Sequence, residues 1–493
     1  MRAGKTPFLE ETINAYMTIY LTLTMTVLLS LCLTLVEGVR SNAIKLESDI
    51  VTDIAVNSVM AEYSRELLRR YNLFAIDDSY GTDSATLENT RQHLLGYLDG
   101  NFRTEDIFLS SFLYRDYLGL SVGDAEIDGV LYMTDERGKV FRRRAYEAIK
   151  DDVNLSALPE LKDWLSTFES GNLLGTDLDS VMKEKQKQVD EAREKSAKKK
   201  EEESKEVTEV STEKRAYLPK TSPLSLITYI KDVSKLSKNA IDTTLMVSKR
   251  NRDNQINVGN LSIEDISIAE DLVERFAFQE YLIRYMGRYG NEKEDTALKY
   301  QLEYLIGGKD SDVGNLQVIA GLIHSARFVA DYAYVRKDEQ KCDEAELLAT
   351  VIATFTYTEE LKDTYKELLL LMWGFTEAQN DVRRILSGEK VVLTKSKDTW
   401  KTNILEIGTM SPGDDKGDDE GLTYLDYLRV FLMVENQDLL NFRAMDIVES
   451  DVRQCEGNEK FRMDACIDTL QFSISTYSTF GYTNKFSIRR KYE

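Results

Sequence analysis

The chain has 493 residues, and its 85 acidic and 63 basic side chains give a formal net charge of −22. Because nucleic-acid binding depends on contacts of lysine and arginine with phosphates, this charge argues against a nucleic-acid partner. The chain has two histidines and four cysteines, without a CxxC motif or a mixed Cys/His spacing. No zinc site and no cofactor are therefore expected.

The N-terminal region contains 25 consecutive uncharged residues, from Thr12 to Val36. As a helix, this segment would be about 37 Å long and could cross a hydrocarbon core of about 30 Å with a modest tilt. It is longer than the apolar region of a signal peptide, about 7–15 residues, and no small-x-small cleavage site follows it. We therefore predict a retained, single-pass membrane anchor. The alternatives are a cleaved signal peptide and a prepilin-like leader cut after Gly4.

The charges that flank the apolar run bear on its orientation. Arg2 and Lys5 precede the run, and Arg40 and Lys45 follow it. The positive-inside rule slightly favours a cytoplasmic N-terminus, and long domains cross the membrane largely regardless of their charge. The expected location is the cell membrane, with the C-terminal domain extracytoplasmic.

Small or hydrogen-bonding side chains recur at every fourth position of the anchor and form one ridge of the helix. They are Asn14, Thr18, Thr22, Thr26, Ser30, Thr34, Gly38 and Asn42. In lipid, such a ridge lets two helices approach closely, and hydroxyl groups can bond between them. The hydroxyl residues from Thr18 to Thr34 are therefore the predicted helix-packing residues. Alternatively, each hydroxyl bonds to a carbonyl of its own helix and needs no partner.

Helical periodicity continues beyond the membrane segment. Neither proline nor glycine occurs between Val39 and Tyr71, so we predict one helix over residues 12–71, amphipathic in its second half. The apolar stripe of this half consists of Val39, Ala43, Leu46, Ile50, Ile54 and Ala61. We expect the stripe to be covered by the protein's own head domain or, as in a coiled coil, by a neighbouring copy.

Composition divides the chain into four predicted segments. Residues 1–37 form the membrane anchor, and residues 38–176 contain the juxtamembrane helix and a small α+β region. Residues 177–222 are dominated by lysine and glutamate. Because they lack the apolar residues needed to bury a core, they are a charged linker. Residues 223–493 form a mostly helical domain.

The expected fold class is α+β, predominantly helical, with short strands. Residues 107–122 and 125–133 are rich in β-branched and aromatic residues, and the second segment partly alternates with period two. A turn at residues 135–138 precedes a helix. Residues 469–492 are strand-like, with a hairpin near Gly481.

No catalytic constellation is evident, and we predict a protein that is not an enzyme. Gly307-Gly308-Lys309-Asp310 lacks the flanking residues of a phosphate-binding loop and is expected to end a helix. The acidic loop 414–420 does not have the EF-hand spacing. It is expected to be solvated, with weak calcium binding as the alternative. His324 lies between apolar residues and is expected to be structural.

Two further groups of residues have both a structural and a chemical interpretation. Glu303, Asp312 and Glu377 could be catalytic carboxylates, but on helices of this kind they favour salt bridges or hydrogen bonds. Cys455 and Cys466 flank a short segment and could close a disulfide loop in an extracytoplasmic domain. Two buried thiols are the alternative.

Several segments of the chain carry a family resemblance. They are YMTIYLTLTMTVLLSLCLTLVEGVR, SVMAEYSRELLRRYNLFAID, LKYQLEYLIGGKDSDVGNL, LLLLMWGFTEAQNDVRRILSGEKVVLTKSKDTW, LTYLDYLRVFLMVENQDLLNFRAMDIVESDVR and FRMDACIDTL. They resemble an uncharacterised family of single-pass envelope proteins of Gram-positive bacteria. The members are encoded with tight-adherence (Tad) pilus systems, alongside TadE- and TadG-like pseudopilins. The resemblance spans most of the chain outside the charged linker and brings no catalytic residues with it.

The resemblance implies a membrane-anchored, extracytoplasmic, non-catalytic component of a Tad-type pilus or secretion assembly. Its expected partners are the membrane and either pilus or secretion-apparatus proteins or a second copy bound through the anchor helix. An envelope adhesin or surface-binding module unrelated to pili is the alternative. A membrane-anchored hydrolase is a more distant one.

Overall fold

The computed structural model describes most of the chain. The described residues are 7–102, 118–173, 229–230, 233–250, 259, 261–263, 268–355, 358–407 and 420–492, with some of 184–194, and side chains are described from Tyr16 onward. The predicted linker at 177–222 lies almost entirely outside these residues, and so does the acidic loop 414–420 except for Glu420. The expected fold class, α+β with mostly helix, is confirmed.

The first helix, α1, spans Pro7–Met60 and is followed by a short helix, α2, at Arg65–Tyr71. The prediction of one continuous helix to residue 71 is therefore wrong. α1 ends and α2 begins in this region because both the backbone and the side chain of Ser64 make hydrogen bonds. Its backbone N–H donates to the carbonyl of Ala75, and its hydroxyl caps α2 by accepting from the N–H of Leu67.

Four strands form one antiparallel sheet: β1, Ile76–Asp77; β2, Leu120–Tyr132; β3, Cys466–Ser478; and β4, Thr483–Lys491. β3 is central, with β2 on one edge and β1 and β4 on the other. β3 and β4 form the predicted hairpin, and Gly481 in its turn has a φ of 84°, which favours glycine. The strand predicted at 125–133 is confirmed within β2, whereas most of 107–122 lies outside the described residues.

The remaining α-helices of the described chain build most of the head. They are α3, Leu87–Phe102; α4, Asp135–Glu147; α5, Leu158–Ser170; α6, Ile268–Tyr285; α7, Gln301–Gly307; α8, Asp312–Val335; α9, Glu339–Phe355; α10, Lys362–Leu386; α11, Tyr424–Val434; and α12, Gln437–Arg453. The turn predicted at 135–138 is confirmed at the start of α4, where Glu136, Arg137 and Gly138 have positive φ angles.

The largest apolar core joins both halves of the chain. Phe141 of α4 packs edge-to-face on Phe278 of α6, with ring centroids 5.9 Å apart, and Tyr427 of α11 lies in the same core. The sheet also joins the halves, because β2 belongs to region 38–176 and β3 to region 223–493. The two regions therefore fold as one head, while the boundaries of the intervening linker stay a prediction.

A second core lies between α1, α3 and one face of the sheet. Val51, Ala55 and Val59 of α1 pack there with Leu94 of α3 and Phe472 of β3, all of them buried. Burial of such side chains is worth about 1.5–3 kcal/mol each for the larger ones. This core holds the head against the last third of α1, a short distance beyond the predicted membrane segment.

Candidate interaction surface on the first helix

The N-terminal part of α1 stands clear of the head. Its large apolar side chains from Tyr16 to Val36 are 55–74% exposed. Among the described residues, one helix is long and apolar enough to cross a membrane, and it lies within Tyr16–Met60. This is consistent with the predicted anchor, since a lipid core would cover the exposed apolar side chains.

The hydroxyl groups of the predicted ridge bond within their own helix. Thr22 and Thr26 donate to the carbonyls three residues earlier, at 3.0 and 2.8 Å, and Thr34 donates to the carbonyl of Ser30 at 2.8 Å. This geometry is that of the alternative in which the hydroxyls need no partner. The side chains from Thr18 to Thr34 on this ridge are nevertheless exposed, and their role in helix packing stays a prediction.

Beyond Glu37, α1 carries a second apolar face that the head leaves uncovered. We call it the outer stripe, and it consists of Val39, Leu46, Ile50 and Ile54, which are 70%, 61%, 45% and 45% exposed. These residues belong to the stripe expected from the sequence. The head therefore leaves much of these four side chains exposed, and covering by a neighbouring copy stays a prediction.

The face of α1 that contacts the head contains Ile44, Val51 and Ala55 together with two buried polar residues, Ser48 and Thr52. The hydroxyl of Thr476 in β3 donates to Ser48 Oγ at 3.0 Å. The apolar pattern does not reveal this face because Ser48 and Thr52 count as polar. Their small side chains let the sheet pack closely on the helix.

The first part of the outer stripe has the spacing of a coiled-coil seam. Val39, Leu46 and Ile50, together with the half-buried Ala43, follow one another at alternating intervals of four and three residues, as the a and d positions of a heptad do, whereas Ile54 departs from this alternation. Val36, three residues before Val39, extends the same alternation into the membrane segment. A partner helix emerging from the same membrane could therefore pack along α1 without a break.

A cluster of charged side chains is buried in the helical part of the head. It consists of Arg327 and Asp331 of α8, Glu377 and Asp381 of α10, and Lys395, all of them at most 5% exposed. Lys395 Nζ lies 2.6 Å from Glu377 Oε1 and 2.8 Å from Asp381 Oδ1. Arg327 pairs with Asp381 and, at 3.1 Å, with Asp331. We call this set the buried ion network.

The buried ion network has the features of a structural element. Burial raises the pKa of Asp331 well above its usual value, against the opposing effect of Arg327. Glu377 also accepts from the backbone N–H groups of Lys401 and Thr402, which fixes the segment after Lys395 on α10. Because the network is closed to solvent, it joins elements rather than offering a site to a substrate.

The other acidic candidates also accept hydrogen bonds from backbone N–H groups. Asp312 accepts from the N–H groups of Lys299 and Tyr300, both at 2.9 Å. Glu303 accepts from the N–H of Tyr289 at 2.9 Å and from the hydroxyl of Tyr424 at 2.7 Å. Burial raises the pKa of Glu303 to about 7. Glu303, Asp312 and Glu377 thus make the hydrogen bonds and ion pairs expected from their positions, and the structure does not bring them into one cleft.

His324 and the glycine pair have structural positions. His324 is fully buried, and burial lowers its pKa to about 4. Its Nε2 lies 3.4 Å from the carbonyl oxygen of Phe375. Gly307 ends α7, and Gly308 follows with a φ of 59° and donates its N–H to the carbonyl of Tyr304, as expected of a helix stop. Among the described residues, no group of three or more His, Cys, Asp or Glu side chains is placed to hold a metal.

The two cysteines considered for a disulfide are free thiols in the structure. Cys455 is half-buried just after α12, and its Sγ lies 3.8 Å from the carbonyl oxygen of Asp451. Cys466 is fully buried at the start of β3, and burial raises the pKa of its thiol well above the usual value. This arrangement corresponds to the alternative of two buried thiols, except that the thiol of Cys455 is only partly buried.

Replacing Glu303 with glutamine should change how stability depends on pH. Between the pKa of an unfolded glutamate, about 4.3, and its folded pKa of about 7, the folded protein holds a proton that the unfolded chain has lost. The contribution of Glu303 to stability is therefore present at low pH and is lost as the pH rises through 7. Glutamine cannot ionise, so the free energy of unfolding of E303Q relative to the wild type should rise from pH 5 to pH 8 in urea titrations.

Glu346→Gln is the matched control for that measurement. Glu346 is paired with Lys362 and Lys366 on the surface, and these lysines hold its pKa at about 2. Its stability difference from the wild type should stay constant between pH 5 and pH 8. The same pH dependence in both variants would contradict the assignment to Glu303.

A family model matches the C-terminal part of the chain. The family is described as a family of unknown function (DUF5702), and the match covers residues 193–478. No curated protein and no solved structure matches. The matched segment contains helices α6 to α12, the buried ion network and β3, whereas α1 and β2 lie before it. Because the match covers more than half of the 493 residues, the chain belongs to the DUF5702 family.

Proposed function

We propose that this protein is a membrane-anchored, extracytoplasmic structural component of an envelope assembly of the Tad pilus or secretion type. α1 holds it in the membrane as a single pass, with the N-terminus in the cytoplasm. The head stands outside the membrane, and α1 packs against helices of partner proteins or of a second copy. The assignment to the Tad type comes from the sequence resemblance, and the role of α1 comes from its geometry.

The observation that carries the proposal is the continuity of one exposed apolar face along α1. The membrane segment is exposed on all sides, and the outer stripe continues an apolar seam beyond Glu37, opposite the head. Exposed apolar surface of this extent is uncommon on a protein that functions alone in solution. A simple tether would need the membrane segment only, whereas an assembled component needs the outer stripe as well.

Hydrogen bonding of the acidic candidates supports a structural rather than a catalytic role. Glu303, Asp312 and Glu377 each accept from backbone N–H groups, so each fixes a turn or a segment of the fold. These backbone contacts are what a structural role for the three carboxylates requires.

Photo-crosslinking in the native cell tests this proposal. A photoreactive residue is placed at Leu46 or at Ile50, and the crosslinked products are identified by mass spectrometry. We expect products with a pilus or secretion component or with a second copy of the chain. The matched control is Leu347 on α9, which is 72% exposed but lies on the head. Equal products from Leu347 and Leu46, or none from either stripe position, would contradict the proposal.

The proposed topology predicts that protease added to intact protoplasts will degrade the head. The N-terminal residues before the apolar run should be protected, because they lie on the cytoplasmic side. An epitope at each end of the chain lets the fragments be followed by immunoblotting. Full protection of the C-terminal epitope in intact protoplasts, with cleavage after detergent is added, would show that the head faces the cytoplasm.

A further inference from the structure

The hairpin of β3 and β4 lies along α1 and points toward the membrane. Tyr492, at the far end, donates its hydroxyl to the carbonyl of Met60 at 2.6 Å, and Arg490 pairs with Asp53. Tyr482, at the near end, donates its hydroxyl to Glu37. Because β4 runs in the same direction as α1, its turn is the end of the sheet closest to the membrane segment.

One contact gives the position of the β3–β4 turn along the axis of α1. The guanidinium carbon of Arg40 lies 4.1 Å from the centroid of the Phe480 ring. Arg40 is four residues beyond Val36, or about 6 Å along the helix axis at 1.5 Å per residue. The head-group layer extends about 5–8 Å beyond each side of the hydrocarbon core. With Val36 at the edge of the core, Phe480 therefore lies at the level of the lipid head groups.

The residues of the β3–β4 turn are of types that suit the lipid head-group layer. We call residues 477–482 the hairpin tip; their sequence is YSTFGY, which contains no charge. Phe480 is 45% exposed, and Tyr477 is 48% exposed with one edge of its ring against Gly123 of β2, so part of each aromatic side chain is open at the tip. Aromatic side chains are enriched at membrane interfaces, where the ring can lie between apolar and polar surroundings. The tip lies beside Arg40 and Glu37, which pair with each other at 2.9 Å, so this part of a chain with a net charge of −22 presents little net charge to anionic lipids.

We propose that the hairpin tip inserts Phe480 and Tyr477 among the head groups of the bilayer that holds α1. This gives the head a second contact with the membrane, independent of the outer stripe. The proposal rests on the membrane anchor of the proposed function, because that anchor sets the level of the tip. Because the tip lies on one side of α1, this contact restrains the tilt of the helix: tilting away from the tip would withdraw Phe480 from the head groups.

Tryptophan fluorescence in liposomes tests this proposal. Phe480→Trp is made in the full chain and reconstituted into phosphatidylcholine liposomes, with or without lipid brominated near the head-group end of its acyl chains. Bromine quenches nearby indoles, so the fluorescence that the new indole adds to that of the three native tryptophans should be lost in brominated liposomes. The matched control is Arg489→Trp, at an exposed position on β4 far from the tip, whose added fluorescence should persist.

Flotation of the liposomes separates the two proposals. If the protein floats with the liposomes but the added fluorescence of Phe480→Trp is no more quenched than that of Arg489→Trp, the tip contact is overturned and the anchor stands. A protein that does not float would overturn the anchor and the tip contact together. If Phe480→Trp reduces the melting temperature and the circular-dichroism signal, Tyr477→Trp gives the same readout with one aromatic ring exchanged for another.

Discussion

Replacing Lys395 with methionine should lower the free energy of unfolding by about 3–5 kcal/mol, because it leaves the buried Glu377 without its paired cation and Asp381 without one of its cations. Lys395 Nζ is fully buried and is the hydrogen-bond donor that Glu377 and Asp381 share. Methionine has a similar length and is apolar, so the change removes the charge and little of the packing. Urea denaturation followed by circular dichroism at pH 7 measures the loss.

Lys362→Met is the control for this prediction. Lys362 also pairs with a glutamate, Glu346, at 2.9 Å, but both side chains are more than a third exposed. An exposed ion pair contributes about 0–1 kcal/mol, so this variant should remain close to the wild type. Comparable losses in the two variants would mean that Lys395 is solvated in the folded protein and that the buried ion network does not hold the head together.

Replacing Phe472 with alanine should destabilise the protein by about 3–5 kcal/mol, the usual cost of removing a fully buried aromatic ring. Phe472 lies in β3 at 0% exposure, in the core between the sheet, α1 and α3. The cavity would lie where the head meets α1, so the contact between them should loosen. Thermal unfolding gives the stability, and amide hydrogen exchange shows whether residues 51–60 of α1 lose protection.

Phe480→Ala is the matched control in detergent solution. The same residue type is removed there, but from the exposed turn of the hairpin, so the loss should be below about 1 kcal/mol. If Phe472→Ala lowers stability without increasing exchange in α1, the head and the helix are held together by contacts other than this core.

Features with a local signal were predictable from the sequence. The long apolar helix was evident from its uncharged length, the C-terminal hairpin from alternation around Gly481, and the end of α7 from two successive glycines. The end of α1 was not, because its cause is the pairing of Ser64 with Ala75 and the capping of α2, and no proline or glycine marks it.

Features that depend on contacts between distant parts of the chain could not be predicted from the sequence. The strand β3, which is far away in sequence, determines which face of α1 contacts the head. Two of the buried residues on that face of α1 are Ser48 and Thr52. From the sequence alone, Arg327 and Lys395 resemble surface residues. Their burial depends on the ion pairs that both make with Asp381 in the folded protein. Glu377 was among the predicted acidic candidates, but Asp331, Asp381 and the two cations were not, since nothing local distinguishes a buried charged residue from an exposed one.

The long separation between β2 and β3 constrains how the protein can be made. Ser473 of β3 bonds to Asp128 of β2 across 345 residues of chain, and β4 follows only after β3. Non-local pairing of this kind is slow to form. If the head crosses the membrane during synthesis, α3 can pack on α1 early, but the part of the contact face that β3 and β4 cover stays open until almost the entire chain has been made. During that interval a chaperone or an early partner helix would have its best opportunity to bind there or at the outer stripe.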